Sequence, residues 1–480
     1  MNKKIIFYLL GWVLKLEAAF MLIPMIAAIY YGERSGFYFL GMACACLGLG
    51  VLMSYKKPEN TTFYVRESFV LVALSWIVIS FFGAMPFYLS GEIPRFSDSM
   101  FEVISGFTTT GSSVLTDVEA LSRCMLLWRS FTHWIGGMGV LVFLLAIVPM
   151  TGADNIHIMR AESPGPSVSK LVPRVKATAK ILYKIYIVMT FIQIVLLKAG
   201  GMPWFDAIAI TFGTAGTGGF GIKNDSMASY TLYEQTVTTI FMVLFGVNFS
   251  VYFLILDKRP KEALRSEEFR AYLGIIFIAI LMAAVNIREG FSSFGTAIHH
   301  SAFQVASIIT TTGYTTVDYE LWPSFSKVIL VVLMFVGACA GSTGGGLKVS
   351  RILIAFKTVV KEMSSMIHPR SVKILKIEGK NIEHNVLRSV NTYVMTYLLI
   401  FVFSVLLVSL DNYDLVTTFT AVATTFNNIG PGLAAVGPTG NFSEFSTLSK
   451  CVMMFDMLAG RLELFPMLLL FSIRTWKKQL

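Results

Sequence analysis

The chain has 480 residues, of which 55% are apolar and only 14% charged, against the roughly 25% charged residues of an ordinary soluble domain. Apolar stretches of about 20 residues, long enough to cross a hydrocarbon layer of roughly 30 Å, recur from end to end. This excludes a soluble globular protein and predicts an all-α integral membrane protein. The formal charge of +10 does not indicate nucleic-acid binding, because the Lys and Arg are divided among loops instead of massed on one face. The five cysteines, Cys44, Cys46, Cys124, Cys339 and Cys451, are scattered and suggest neither a disulfide framework nor a thiolate metal site.

In chain order, Met1 to Lys4 and the apolar run behind them look like the start of a signal peptide. The run continues past Lys15 and Glu17 to Tyr31 without a small-residue cleavage site, so a retained first helix is expected. A second span covers 35–55, and residues 1–60 form an N-terminal transmembrane helix pair. The pattern then repeats four times as a long apolar helix, a shorter semi-polar helix ending in Thr/Gly-rich residues, a polar loop with acidic residues, and a second long apolar helix. The first long helices are expected at 68–91, 181–197, 271–287 and 389–410, and the short helices at 96–107, 205–214, 296–309 and 415–426. The second long helices are expected at 130–153, 235–256, 328–347 and 451–473. This gives ten spans in four units: 61–153, 154–256 with a leading cytoplasmic loop, 257–360, and 361–480 with a leading cytoplasmic linker. The loops on the N-terminal side carry more than twice as many Lys and Arg as Asp and Glu, and the opposite loops reverse the excess. By the positive-inside rule both termini are cytoplasmic.

The short helices are the informative feature, because irregular backbone at membrane depth is tolerated only where protein packs around it or where it lines a water-filled path. Each is followed by a glycine, Gly111, Gly218, Gly313 and Gly430, at spacings of about a hundred residues. A dehydrated monovalent cation needs several oxygen ligands, and backbone carbonyls supply them when an extended segment turns them to one side, which glycine permits. The candidate ion-binding residues are Thr110 and Gly111, Thr217 and Gly218, Thr312 and Gly313, and Ile429 and Gly430. Small residues commonly serve helix packing alone, but four spaced copies with the same flanks favour an ion path. Acidic residues on the outer loops, Asp117, Glu119, Asp225, Asp318, Glu320 and Glu444, either concentrate cations or are ordinary solvated side chains.

Two further signals lie deeper. The run Gly337-Ala-Cys-Ala-Gly-Ser-Thr-Gly-Gly-Gly346 cannot favour a continuous helix, and it fails the phosphate-loop pattern because Leu347 precedes Lys348. It is expected to interrupt the second helix of the third unit as a flexible intramembrane loop. Arg461 falls near the middle of the last apolar helix, where a charge must face a polar interior. Gly341, Gly344, Gly345, Gly346, Lys348 and Arg461 are therefore the gate candidates.

The helix, pore loop, helix repeat with one filter glycine per unit resembles the bacterial Trk/Ktr and plant HKT potassium-transporter superfamily over residues 60–480. The N-terminal helix pair and the segment 162–174 resemble its TrkH/TrkG branch. The resemblance implies a pseudo-fourfold bundle for potassium uptake across the bacterial inner membrane, with potassium at the filter as the only metal and as substrate, and no cofactor bound by the chain. It also implies an arginine barrier and moving loop below the filter. The implied partners are the lipid bilayer, a second copy of the chain in a homodimer, and a separate cytoplasmic nucleotide-binding regulatory subunit, TrkA-like; no nucleic acid is expected. The alternatives are an ion-coupled secondary transporter for a small solute, disfavoured by the fourfold repeat and scarce intramembrane carboxylates, and a membrane enzyme, for which no nucleophile, metal or acid/base cluster is present.

Overall fold

The computed structural model describes residues 1–59, 64–151, 175–368 and 374–476; the segment 162–174 lies outside the described residues. Six helices among them are long and apolar enough to cross a membrane: Lys3–Tyr31, Gly36–Ser54, Arg66–Ser90, Ile181–Ala199, Glu267–Gly290 and His384–Asp411. These are the N-terminal pair and the first helix of every unit, and they make this a multi-pass membrane protein. The N-terminal pair crosses closely because glycines meet: a Cβ on Gly11 would lie 2.8 Å from Gly50 O, and one on Gly50 2.7 Å from Gly11 O. The pair packs on the first unit alongside Val65–Ser90 and Arg123–Thr151. The turn between the two helices also works, since Glu33 accepts the N–H groups of Arg123 (2.8 Å) and Cys124 (2.9 Å) at the open start of the helix Arg123–Thr151.

The four short helices are Phe96–Phe107, Trp204–Gly216, Phe294–Ile309 and Leu415–Asn427. Their final turns are buried on every side, so they sit inside the bundle, not on its lipid face. Each packs against the second helix of the preceding unit: Trp204–Gly216 on Arg123–Thr151, Phe294–Ile309 on Leu232–Phe245, Leu415–Asn427 on Ser324–Val336, and Phe96–Phe107 on Thr447–Arg461 of the last unit. The contacts therefore close a cycle.

The second helices are broken in three of the four units, as expected in the third and against the expected continuous spans in the second and fourth. Arg123–Thr151 is unbroken. The expected span 235–256 is instead Leu232–Phe245 and Phe249–Leu256, bent by 88°, because Asn248 caps the new helix by accepting from Ser250 N–H at 2.9 Å. In the third unit Ser324–Val336 ends at Gly337, and a helix resumes only at Val349–Ile367. In the fourth, Thr447–Arg461 gives way to Phe465–Phe471 through Glu463 and Leu464 with left-handed φ of 61° and 65°. Pro466 opens the last piece, where its missing N–H costs nothing.

The freed backbone groups of two breaks satisfy each other. Phe245 O accepts from Thr343 Oγ1 (3.2 Å), Gly246 O from Cys339 N–H (3.1 Å), and Phe249 N–H donates to Gly341 O (3.1 Å). The glycine-rich loop is thus seated in the bend of the second unit. Glu268, nine-tenths buried, adds a clamp by accepting from Ala340 N–H (2.7 Å), Ser350 N–H (3.2 Å) and Asn248 Nδ2 (3.5 Å).

On the other side of the short helices the units are also tied in sequence. Arg129 is buried beside Glu102, 2.7 Å away, and donates to Gly221 O of the second unit at 3.1 Å. Met227 N–H donates to Thr315 O (2.9 Å), Tyr319 Oη to Gly432 O (3.0 Å), and Phe442 N–H back to Ser113 O (2.9 Å). Removing one member of a buried ion pair strands the other charge, at a cost of roughly 3–5 kcal/mol. Arg129→Met is therefore expected to lower the thermal unfolding temperature in detergent sharply. Arg259→Met, which breaks the exposed pair with Glu262, should shift stability by less than about 1 kcal/mol. Equal shifts would show that the Arg129 pair holds nothing together.

Candidate functional site

All four short helices end in the same way. In the first, Thr109 N–H donates to Gly106 O (3.1 Å) and Thr110 N–H to Ser105 O (2.8 Å); in the second, Thr217 N–H donates to Thr214 O (3.0 Å) and Gly218 N–H to Gly213 O (2.8 Å). The third repeats this with Thr311 to Ile308 O (3.1 Å) and Thr312 to Ser307 O (2.8 Å), the fourth with Asn428 to Thr425 O (3.4 Å) and Ile429 to Thr424 O (2.9 Å). This is a Schellman ending, whose left-handed position is usually glycine. Here it is Thr109, Thr217, Thr311 and Asn428, with φ of 57°, 56°, 58° and 56°. A non-glycine residue in that region costs on the order of 1–2 kcal/mol.

Two residues beyond each left-handed residue stands a glycine with φ of 83°, 75°, 85° and 103°: Gly111, Gly219, Gly313 and Gly430. The counterpart of Gly111 in the second unit is thus Gly219, one residue later than the sequence expectation, while Gly218 takes the place of Thr110, Thr312 and Ile429. Sequence spacing could not separate two adjacent glycines, and the Schellman hydrogen bonds do. A Cβ on Gly111 would lie 2.0 Å from Gly218 O, on Gly219 1.8 Å from Thr312 O, on Gly313 2.1 Å from Ile429 O, and on Gly430 3.0 Å from Thr110 O. Each left-handed glycine therefore abuts the carbonyl of the next unit, and the oxygens of Thr110, Gly218, Thr312 and Ile429 follow one another around the cycle of short helices.

The glycine-rich loop reaches the inner ends of these segments. Gly345 N–H donates to Thr311 Oγ1 (2.6 Å) and Gly346 N–H to Asn427 O (3.1 Å). The neck of the loop is a glycine pair, since a Cβ on Gly346 would sit 2.7 Å from Gly337 Cα. Arg461 donates from Nη1 to Thr343 O (2.7 Å) and from Nη2 to Gly136 O (2.6 Å), joining loop, last helix and first unit. Lys348, buried, donates to Gly344 O. The carboxylates nearest Arg461 in sequence have other partners: Asp456 accepts from Ser404 Oγ at 2.7 Å, and Glu463 pairs with Arg351. Gly341, Gly344, Gly345, Gly346, Lys348 and Arg461 are thus one assembly against the inner ends of the segments.

Sequence reasoning missed Gly219, the left-handed conformation of Thr109, Thr217 and Thr311, Glu268 and His133. Glu268 and His133 act on residues distant in sequence, and no local pattern marks them. Three of the six acidic loop residues, Asp117, Glu119 and Glu320, tie one loop to another. Asn224 Nδ2 donates to Asp117 (2.8 Å), Asn224 N–H to Glu119 (3.1 Å), and Glu320 accepts from Lys327 Nζ (3.0 Å) and Ala434 N–H (3.0 Å).

The family described as TrkH, cation transport protein, matches residues 35–478. The chain is 34% identical to the Trk system potassium uptake protein TrkH of Escherichia coli (strain K12) over the whole of both chains. It is 33% identical to TrkG of the same strain, covering 99% of each. The crystal structure of the potassium transporter TrkH from Vibrio parahaemolyticus superposes with a TM-score of 0.89 at 31% identity, covering 99% of this chain and 100% of that one. With family match, full-length relatives and fold in agreement, this chain belongs to the TrkH family of cation transport proteins.

Proposed function

We propose that the chain takes up potassium through a pseudo-fourfold pore whose filter is lined by the carbonyls of Thr110, Gly218, Thr312 and Ile429 and by the left-handed glycines beside them. The observation that carries this reading is the cyclic approach of Gly111, Gly219, Gly313 and Gly430 to the carbonyl of the next unit. Four such segments in one chain can supply the oxygen shell that a dehydrated potassium ion requires. The short helices direct their C-terminal ends, the negative ends of their dipoles, at the same place. Thr109 Oγ1 is buried without a partner among the described residues, as suits a hydroxyl lining a polar path. The names of the relatives, potassium uptake proteins of Trk systems, support potassium as the cation. The words Trk system in those names also support a partner subunit, which in this reading is a separate cytoplasmic regulatory protein. A homodimer in the inner membrane with both termini cytoplasmic completes the proposal.

In this reading the loop 337–348 closes the path below the filter, pinned by Arg461 and Lys348. The loop's hydrogen bonds to Thr311 and Asn427 support this reading, in which the guanidinium adds an electrostatic barrier to a cation leaving inward.

Selectivity tests the filter. Gly111→Ser, Gly219→Ser and Gly313→Ser should each lower the K⁺ over Na⁺ permeability ratio, read as reversal potentials of proteoliposomes, by about tenfold, or ~1.4 kcal/mol of discrimination. Gly430→Ser should be milder, since its clearance is 3.0 Å where the others have 1.8 to 2.1 Å. Unchanged ratios in all four would remove the filter assignment.

The gate has its own test. Arg461→Ala, or deletion within Gly341–Gly346, should raise K⁺ flux of the chain without any regulatory subunit. Combined, they should raise it by less than the product of the separate factors, because elements in contact are not additive. Reduced flux in well-folded single variants would place the barrier elsewhere.

A further inference from the structure

The first, third and fourth segments are braced by side chains of their own that reach beyond the adjoining peptide, whereas in the second Thr217 Oγ1 donates only to the adjacent Gly216 O at 2.6 Å. Thr110 and Thr312 pair their hydroxyls with Thr108 and Thr310, each at 2.8 Å. In the fourth, Asn428 Nδ2 donates to Thr110 Oγ1 and to Met457 O, both at 2.9 Å. The second segment has Gly218 where the first and third have threonine, and the space is filled from another unit. A Cβ on Gly218 would lie 2.2 Å from His133 Nδ1 and 2.3 Å from its Cγ.

His133 is fully buried on Arg123–Thr151. Its Nε2 accepts the N–H of Phe220 at 3.1 Å, so Nδ1 carries the proton and donates to Gly106 O at 2.8 Å. The ring also lies against Phe220, centroids 4.2 Å apart. One neutral imidazole therefore spans the end of the first short helix and the residue that follows Gly219.

We propose that His133 is the positioning residue of the second filter segment and thereby a determinant of cation selectivity, a role that rests on the filter reading above. Two adjacent glycines give this segment the most backbone freedom of the four, and a carbonyl that drifts no longer discriminates between ions by distance. The imidazole removes that freedom with one donor, one acceptor and the volume of its ring. Gln can offer the same donor and acceptor, Leu neither, and Asn is one methylene too short to reach both Gly106 O and Phe220 N–H.

The experiment measures reversal potentials in opposed K⁺ and Na⁺ gradients, with the full chain in proteoliposomes. His133→Leu is expected to lower the K⁺ over Na⁺ ratio by about three- to tenfold, the worth of one or two ordinary hydrogen bonds, and His133→Gln to retain most of it. If His133→Leu yields no monodisperse protein, Asn and Gln decide, with Asn losing selectivity and Gln keeping it. Wild-type ratios in His133→Leu, or in both His133→Asn and His133→Gln where Leu does not fold, overturn the proposal. Gly219→Ser measured alongside separates the two failures. If it lowers the ratio while the His133 variants do not, only the strut falls; if neither changes it, the filter reading falls with it.

Discussion

A chain that leaves the helical path inside a membrane exposes amides and carbonyls to a medium that cannot solvate them, at several kcal/mol for each one left unpaired. This protein leaves it seven times among the described residues, at the ends of four short helices and in three broken ones. It meets the requirement by making irregular segments each other's partners. The bend of the second unit receives the glycine-rich loop, whose far side meets Thr311 and Asn427, while Arg461 caps the carbonyls of Thr343 and Gly136. The glycine-rich loop is thus held by the same bonds that make the neighbouring breaks tolerable, so moving it requires other polar groups to take over.

The four short helices show how strain is carried by a repeated frame. Threonine or asparagine stands where a Schellman ending usually has glycine, and the unfavourable φ recurs at all four ends. Strain of this kind persists only where surroundings over-determine it. Here two hydrogen bonds to the parent helix and full burial do so. Asn428, more tolerant of that conformation than threonine, also donates across to the first unit.

Much of this was legible in the sequence because each unit carries its own signal: an apolar first helix, a short helix and a Thr/Gly run. The interruption at Gly337–Gly346 was legible for the same reason, since four glycines in six residues defeat a helix locally. What remained hidden depends on partners distant in sequence. The bend at 246–248 has one glycine and an asparagine cap, an ordinary composition until the glycine-rich loop and Glu268 are placed beside it. The register of Gly218 and Gly219 is set by Schellman bonds and by a histidine of the preceding unit. Asp117, Glu119 and Glu320 read equally well as solvated charges, and only Asn224 and Ala434 identify them as loop ties.

The cycle of contacts has one seam unlike the others. Three joins connect units that follow one another in the chain, so each can form as the next unit is inserted. The fourth joins the last unit to the first: Asn428 to Thr110 across 318 residues, and Arg461 to Gly136 across 325. During synthesis the first short helix and its polar segment must wait in the bilayer, their neighbours on one side missing, until the final helix arrives. Such long-range closure is slow by topology, and the interval is the period in which the nascent chain is most exposed to quality control. The helix that ends the wait also carries the guanidinium bonded to Thr343 O, so closing the cycle and seating the glycine-rich loop finish in one step.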